Sequence, residues 1–186
     1  MVNSSTASSI EKKNQMKKTI LMYWPKDGNV EECAQLISDK YEDLEIISID
    51  QVKDEDLKSV EQYIIGCSTV GSETWDNKDN TDPWPAFISQ LDKVGISDKK
   101  VALFGLGDQV RWPMHFVDGM AVLNEQILNK GAKVIGRWPV EGYDHEDSEA
   151  QDGNFFVGLA LDQDIQPELS EERVAKWVAQ IKSEFN

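Results

Sequence analysis

The chain has 186 residues and a formal net charge of -15, and 40% of its residues are hydrophobic, with six tryptophans. This composition excludes a disordered protein, and the negative charge disfavours nucleic-acid binding while it favours partners with a basic surface. No apolar run approaches the length of about 18 residues that a membrane-spanning helix needs, so we expect no membrane segment.

The N-terminal segment is polar and rich in serine, and it lacks the apolar core of a secretory signal. We expect residues 1–17 to be a disordered tail, in which Met16 is a second candidate start. Residues 18–186 are expected to form a single domain, because their length suits one hydrophobic core and no linker interrupts them.

Strand-like and helix-like patterns alternate along the chain. Short apolar runs predict buried strands at 19–23, 44–49, 63–67, 101–104 and 134–138, with another apolar strand at 155–161 after an acidic excursion over 141–154. Helices are predicted at 29–40 and at 116–130, the second ended by Gly131, with a short polar helix or turn at 54–59. Pro83 is expected to start another helix, and Ser170 is expected to cap the last one. The residues of this last helix that are expected to be buried are Val174, Trp177, Val178 and Ile181. This alternation predicts an α/β protein with a doubly wound, five-stranded parallel sheet.

The two cysteines both fall in apolar patterns, Cys33 on a helical face and Cys67 at the end of a strand run. This placement predicts two buried, reduced thiols and therefore a cytoplasmic protein. Neither the cysteines nor the histidines show metal-ligand spacing, so we predict no metal site and no redox-active cysteine pair.

Three loops leave the carboxyl ends of predicted strands one, three and four, where ligands bind in such a sheet. They span residues 24–30, 68–82 and 106–115. In the third, Gly107 allows backbone to approach a ligand, and Asp108 and Trp112 add a polar group and an aromatic face. These features predict a planar ligand.

The remaining tryptophans near these loops have more than one interpretation. Trp75 is a candidate for a second aromatic wall. Trp84 precedes Ile88 by one helical turn and is expected to pack in the core. Trp24 either lines the ligand site or packs against the rest of the protein.

The first loop leads directly into a predicted helix, whose free N–H groups suit a phosphate. Gly28 relaxes the turn and Lys26 adds a cation, whereas Asp27 would repel a phosphate. Because the loop contains no Ser or Thr, its sequence alone favours an ordinary turn between strand and helix.

Several segments together resemble the long-chain flavodoxins over about residue 18 to the end. They are Phe-Gly-Leu-Gly-Asp-Gln at 104–109, Phe116, Asp118, Gly-Tyr-Asp-His-Glu-Asp-Ser at 142–148, Phe-Val-Gly-Leu-Ala-Leu-Asp at 156–162, and Trp-Val-Ala-Gln-Ile-Lys-Ser-Glu-Phe at 177–185. The resemblance implies strand order 2-1-3-4-5, with an excursion that splits the last strand. It also implies a low-potential electron carrier that holds FMN without a covalent bond and has no catalytic residues of its own.

By this resemblance the first loop holds the FMN phosphate and the other two hold its isoalloxazine ring. Trp112 stands where the family often has a stacking tyrosine, and Gly71 stands where a peptide flips toward the flavin N5. Val70 occupies a position that is often aromatic, and Trp75 is the alternative for the second ring face. The predicted cofactor-binding residues are Trp24, Pro25, Lys26, Asp27, Gly28, Asn29, Val30, Thr69, Val70, Gly71, Ser72, Trp75, Leu106, Gly107, Asp108, Trp112 and His115.

The phosphate loop departs from the family pattern. Pro25, Asp27 and Val30 stand at the hydroxyl positions, while Gly28 and Asn29 are retained. Three lost neutral hydrogen bonds weaken phosphate binding by about 1.5–4.5 kcal/mol. Lys26 is expected to recover part of this through a charge-assisted contact.

The expected partners are a reductase and an acceptor redox protein with basic surfaces, bound transiently by a monomer. The carboxylates of the excursion either meet these basic patches or form a solvated loop. They are Asp144, Glu146, Asp147 and Glu149. One alternative is an interaction module of the same fold that has lost FMN. Another is a flavin-dependent quinone or azo reductase, against which the crowded tryptophan-bearing loops argue.

Overall fold

The computed structural model describes residues 19–69 and 82–186. Its nine strands are β1 Thr19–Trp24, β2 Leu44–Ser48, β3 Gln62–Ser68, β4 Lys100–Leu106, β5 Lys133–Ile135, β6 Trp138–Pro139, β7 Gln151–Asp152, β8 Phe155–Phe156 and β9 Leu159–Leu161. The five helices of this part of the chain are α1 Asn29–Lys40, α2 Asp54–Lys58, α3 Trp84–Val94, α4 Asp118–Asn129 and α5 Pro167–Phe185. Among these helices, none has the length and apolar character needed to cross a membrane.

The main sheet is parallel and has the order β2-β1-β3-β4-β5. The amino-terminal half of β4 pairs with β5, and its carboxyl-terminal half pairs with β9. These two short strands therefore share the fifth position, one after the other along β4. The predicted fold class, strand order and split last strand are confirmed.

Side chains of the sheet alternate between two apolar layers. In β1, Ile20 and Met22 face one layer, whereas Leu21 and Tyr23 face the other. Helices α2, α3 and α4 cover the first layer, and α1 and α5 cover the second. Hydrophobic faces on both sides of every central strand explain why the strands appear in the sequence as continuous apolar runs.

Several predicted core positions are confirmed. Cys33 and Cys67 are free and buried, and Trp84 packs in the core against Phe87, with its ring at a steep angle and 5.9 Å between centroids. The predicted stripe of α5 is also buried: Val174, Trp177, Val178 and Ile181.

The predictions for the end of the chain need two corrections. The segments 134–138 and 155–161 are not continuous strands, because part of each pairs within a separate antiparallel sheet of order β6-β8-β7. Gly136, with a φ of +79°, makes the turn that separates β5 from β6. Ser170 does not cap α5, which begins at Pro167, a residue suited to the first helical turn. Its hydroxyl instead donates to Gln163 Oε1.

Gly66 is required by the packing between β3 and β4. It pairs with Phe104, and a Cβ at this position would lie 1.9 Å from the Phe104 ring carbon Cζ. We expect Gly66→Ala to lower the free energy of unfolding by about 1–3 kcal/mol in chemical denaturation. The double variant Gly66→Ala/Phe104→Leu should lose less than the sum of the two single losses, because the smaller side chain relieves the clash. Simple additivity would show that the ring is not the cause.

Candidate functional site

A cleft of about 580 Å³ opens at the carboxyl ends of β1, β3 and β4. This is a volume typical of small-molecule sites. Residues from all three predicted loops line it, in agreement with the rule that ligands bind where the strand order reverses. The predicted site residues that the structure brings together there are Pro25, Asn29, Val30, Thr69, Leu106, Gly107, Asp108, Trp112 and His115.

Other predicted site residues do not line the cleft or lie outside the described part of the chain. Trp24, Lys26, Asp27 and Gly28 belong to the first loop but are not in the lining. The predictions for Val70, Gly71, Ser72 and Trp75 fall within residues 70–81, outside the described residues.

Some lining residues were missed by the sequence analysis: Ser68, Arg111, Asp118, Gln163 and Asp164. Gln163 and Asp164 follow β9, whose carboxyl end lies beside that of β4 because the two strands are parallel neighbours. The apolar run that ends at Leu161 is therefore a feature of the sequence from which Gln163 and Asp164 could have been placed at this edge of the sheet.

The loop after β4 is folded by its own aspartate. Asp108 is 9% exposed, and its Oδ1 accepts the backbone N–H groups of Val110 at 3.0 Å and Arg111 at 2.7 Å. Its carbonyl oxygen accepts the N–H of Trp112 at 3.0 Å. These bonds present the Trp112 indole, which is 55% exposed, at the wall of the cleft. An exposed aromatic face of this kind suits stacking against a planar ring.

The loops after β3 and β4 are fastened to each other and to the sheet. The backbone N–H and the hydroxyl of Thr69 both donate to the carbonyl oxygen of Leu106, at 3.2 and 3.1 Å. The N–H of Gly107 donates to the Leu161 carbonyl at 3.1 Å. At the rim, the His115 ring nitrogen Nδ1 lies 2.9 Å from Asp118 Oδ2.

A buried aspartate, Asp162, connects the loop after β4 with the loop after β9. Its side chain is fully buried, and its Oδ2 accepts both the backbone N–H of Gln109 at 3.0 Å and the Gln109 side-chain amide at 2.8 Å. Its Oδ1 accepts the N–H groups of Asp164 and Ile165 at 3.1 and 2.9 Å. Gln109 Oε1 in turn accepts the N–H of Asp144 in the excursion at 2.6 Å. The Asp162 carboxylate and the Gln109 side-chain amide thus connect three loops, namely the loop after β4, the loop after β9 and the excursion.

The first loop is organised by a carboxylate. Glu31, in the first turn of α1, accepts the backbone N–H of Asp27 on Oε2 at 2.7 Å and the Tyr23 hydroxyl on Oε1 at 2.5 Å. These two donors, Tyr23 first, hold the pKa of Glu31 below its usual value. Burial and the bond to Glu31 raise the pKa of Tyr23 to about 12. The carboxylate therefore occupies an amide of the loop that was predicted to hold a phosphate.

Lys26 is also engaged within the protein. Its Nζ lies 2.6 Å from Asp50 Oδ2 and 5.4 Å from the centre of the Trp24 ring. The Ser48 hydroxyl donates to the other oxygen of Asp50. The cation that we expected to contact a phosphate is thus paired with a carboxylate on the neighbouring loop after β2.

Comparison with known proteins identifies the family. The family model described as Flavodoxin matches residues 21–177. The flavodoxin of Picosynechococcus sp. is 42% identical over 173 residues, which cover 91% of this chain and 99% of the relative. The flavodoxin of Synechocystis sp. is 40% identical over 167 residues, which cover 90% and 97%. The chain belongs to the flavodoxin family, as its motifs predicted.

Solved structures agree with this assignment. The crystal structure of Fusobacterium nucleatum flavodoxin bound to flavin mononucleotide superimposes with a TM-score of 0.79 and 25% identity, and the match covers 92% of this chain and 100% of that one. Its K13G mutant, also bound to flavin mononucleotide, gives a TM-score of 0.78 at 26% identity, with coverage of 92% and 98%.

Proposed function

We propose that this protein carries electrons on FMN bound without a covalent bond in the cleft. The observation that carries the proposal is the cleft itself, which is large enough for a flavin and is placed where the strand order reverses. When bound, FMN supplies the one- or two-electron redox chemistry. The residues of this chain bind and orient the ring and set its electrostatic surroundings.

The ring end of the cleft fits a flavin well. Trp112 offers an exposed indole face, and Leu106, Gly107 and Thr69 form a wall held rigid by main-chain bonds to the sheet. The carboxylate of Asp108 places a negative charge beside this wall, which disfavours a negatively charged reduced cofactor and lowers its potential.

The phosphate end fits less well. Pro25, Asn29 and Val30 line it, and none of them supplies a hydroxyl group. Main-chain N–H groups at the start of α1, together with the side-chain amide of Asn29, are donors that this end of the cleft offers to a phosphate. We propose that these residues hold the phosphate chiefly through the backbone.

The proposed partners are redox proteins that bind transiently through basic surfaces to a monomer. The formal net charge of -15 supports electrostatic steering toward such surfaces. Asp144, Glu146, Asp147 and Glu149 of the excursion are exposed and add to this field. Free, buried Cys33 and Cys67 suit a reducing compartment, and we propose the cytoplasm.

A titration with FMN, followed by quenching of flavin fluorescence, tests the proposal. The purified protein is expected to be yellow or to become so with FMN, and dithionite should bleach it. We expect Trp112→Ala to weaken FMN binding about tenfold and to shift its midpoint potential, because a stacking surface is lost. Phe155→Ala is the control, since this exposed ring belongs to the small sheet and not to the cleft.

Two results would contradict the proposal in favour of the alternatives. A colourless protein that does not quench FMN would indicate an interaction module that has lost its cofactor. Steady consumption of NADPH with a quinone, with no reductase added, would indicate a quinone reductase.

A further inference from the structure

The loop that precedes α1 already holds an anion of its own. Asp27 donates its backbone N–H to Glu31 Oε2 at 2.7 Å, two residues before Asn29, which lines the cleft. An amide of the loop that is predicted to hold the phosphate is therefore bonded to a carboxylate. The second oxygen of that carboxylate is fixed by Tyr23, whose ring is buried in the layer under α1 and α5. Glu31 is therefore held in place from two sides and is not a freely moving surface side chain.

The charges around this loop oppose a second anion. Lys26 is paired with Asp50 at 2.6 Å, and the carboxylates of Asp27, Glu31 and Glu32 lie on the loop and the first turn of α1. The phosphate of a flavin nucleotide adds a charge of about -1.5 to -2 near neutral pH. To bind, it must displace Glu31 from the Asp27 amide or accept fewer hydrogen bonds beside a like charge.

The other end of the cleft has no such conflict. Trp112 and the rigid wall at Leu106 and Gly107 would contact the oxidised ring, which is uncharged, and the Asp108 carboxylate beside them is bonded to amides of its own loop. Most of the affinity for a flavin should then come from the ring and the sugar-alcohol chain, which riboflavin and FMN share.

We infer that Glu31 sets the selectivity of the cleft and that the protein binds riboflavin, which lacks the phosphate, nearly as tightly as FMN. This inference rests on the proposed function, because it concerns the same site. Glu31 acts through the Asp27 amide and through its charge, and it is a specificity-determining residue with no part in electron transfer.

Dissociation constants for FMN and riboflavin, measured by fluorescence quenching at 0.15 M salt, give a ratio that tests this inference. For the unaltered protein we expect riboflavin to bind within about tenfold of FMN. Glu31→Gln should tighten FMN binding about tenfold, the size of one charge-assisted contact, and leave riboflavin binding unchanged. Glu31→Ala removes both the charge and the competing acceptor and should have at least the same effect.

Glu32→Gln is the matched control. Glu32 is on the same turn and carries the same charge, but it is exposed, and the Asp27 amide bonds to Glu31 instead. We expect this change to alter the ratio of the two constants less than about twofold, because exposed charges are screened by salt. Circular dichroism checks that each variant is folded.

The outcomes separate the two proposals. If FMN binds more than about tenfold tighter than riboflavin, or if Glu31→Gln leaves the ratio unchanged, the inference is overturned and the proposed function stands. If neither flavin binds, the proposed function fails and the inference fails with it. Should the Glu31 variants not fold, the ratio for the unaltered protein decides alone.

Discussion

Replacing Asp162 with alanine is expected to lower the free energy of unfolding by about 3–5 kcal/mol, because it strips the acceptor from four N–H groups at once. Each donor left without a partner in the interior costs about 1–3 kcal/mol, although water that enters the gap offsets part of the sum. The same change should weaken flavin binding, because Gln109 directly follows Asp108 and loses its fixed position beside the cleft.

Urea denaturation monitored by circular dichroism, together with an FMN titration of the folded variant, measures both effects. Asp152→Ala is the control, since the Asp152 side chain is 77% exposed and pairs with the exposed Arg137 at the small sheet, away from the cleft. A surface ion pair of this kind contributes less than about 1 kcal/mol, and FMN binding should not change. If Asp162→Ala unfolds at the same urea concentration as the unaltered protein, the network does not stabilise these loops.

Trp177→Ala is expected to cost about 3–5 kcal/mol of unfolding free energy with little direct effect on the cleft. Trp177 is fully buried on α5, and its indole N–H donates to the carbonyl oxygen of Gly136 at 2.8 Å. The substitution removes a large apolar surface and also leaves this carbonyl without its donor.

Trp177→Phe separates the two contributions. It keeps most of the ring and loses the hydrogen bond, so we expect a smaller loss of about 1–3 kcal/mol in the same unfolding experiment. Lys176→Ala is the control, since Lys176 directly precedes Trp177 on α5 and forms an exposed ion pair with Glu172. It should change the free energy of unfolding by no more than about 0.5 kcal/mol. Equal losses for Trp177→Phe and Trp177→Ala would mean that the hydrogen bond, not the packing, holds α5 to the sheet.

The strands of the sheet were predictable because the property that forms them, a short run of apolar residues, can be read from each segment alone. Parallel strands covered on both faces must be apolar at every position, and runs such as 101–104 meet that requirement without reference to the rest of the chain. Helix α1 was predicted over residues 29–40, because the buried residues Val30, Cys33 and Ile37 repeat at helical spacing. These features depend only on near neighbours in the sequence.

The errors arose where the outcome depends on distant partners. The segment 155–161 is apolar throughout, but only pairing decides that Phe155 joins the small sheet and Leu159 joins β4. Ser170 was a reasonable cap by residue type, yet Pro167 had already started the helix.

The candidate site shows the same division. Gly107 and Trp112 were correctly predicted to lie at the ligand-binding edge of the sheet, because they directly follow the end of a predicted strand and strand ends define that edge. It did not indicate that Glu31 bonds back to Asp27, since this contact depends on the left-handed backbone of Asp27, whose φ is +60°. Nor did it indicate the Asp162–Gln109 bonds, which join residues 53 positions apart.

The split fifth strand has a consequence for how this chain tolerates change. Both ends of the excursion, β5 and β9, are anchored on the same strand, β4, so the intervening segment closes a loop whose anchors stay fixed whatever its length. Doubling the length of such a loop costs only about 0.6 kcal/mol in closure entropy. Natural variation, grafted peptides and engineered insertions should therefore be accommodated with the flavin cleft intact at the exposed turn between β7 and β8, around Gly153. Residues 146–150 are less suitable, because their backbone bonds to the Pro113 carbonyl and the Asp118 carboxylate beside the cleft.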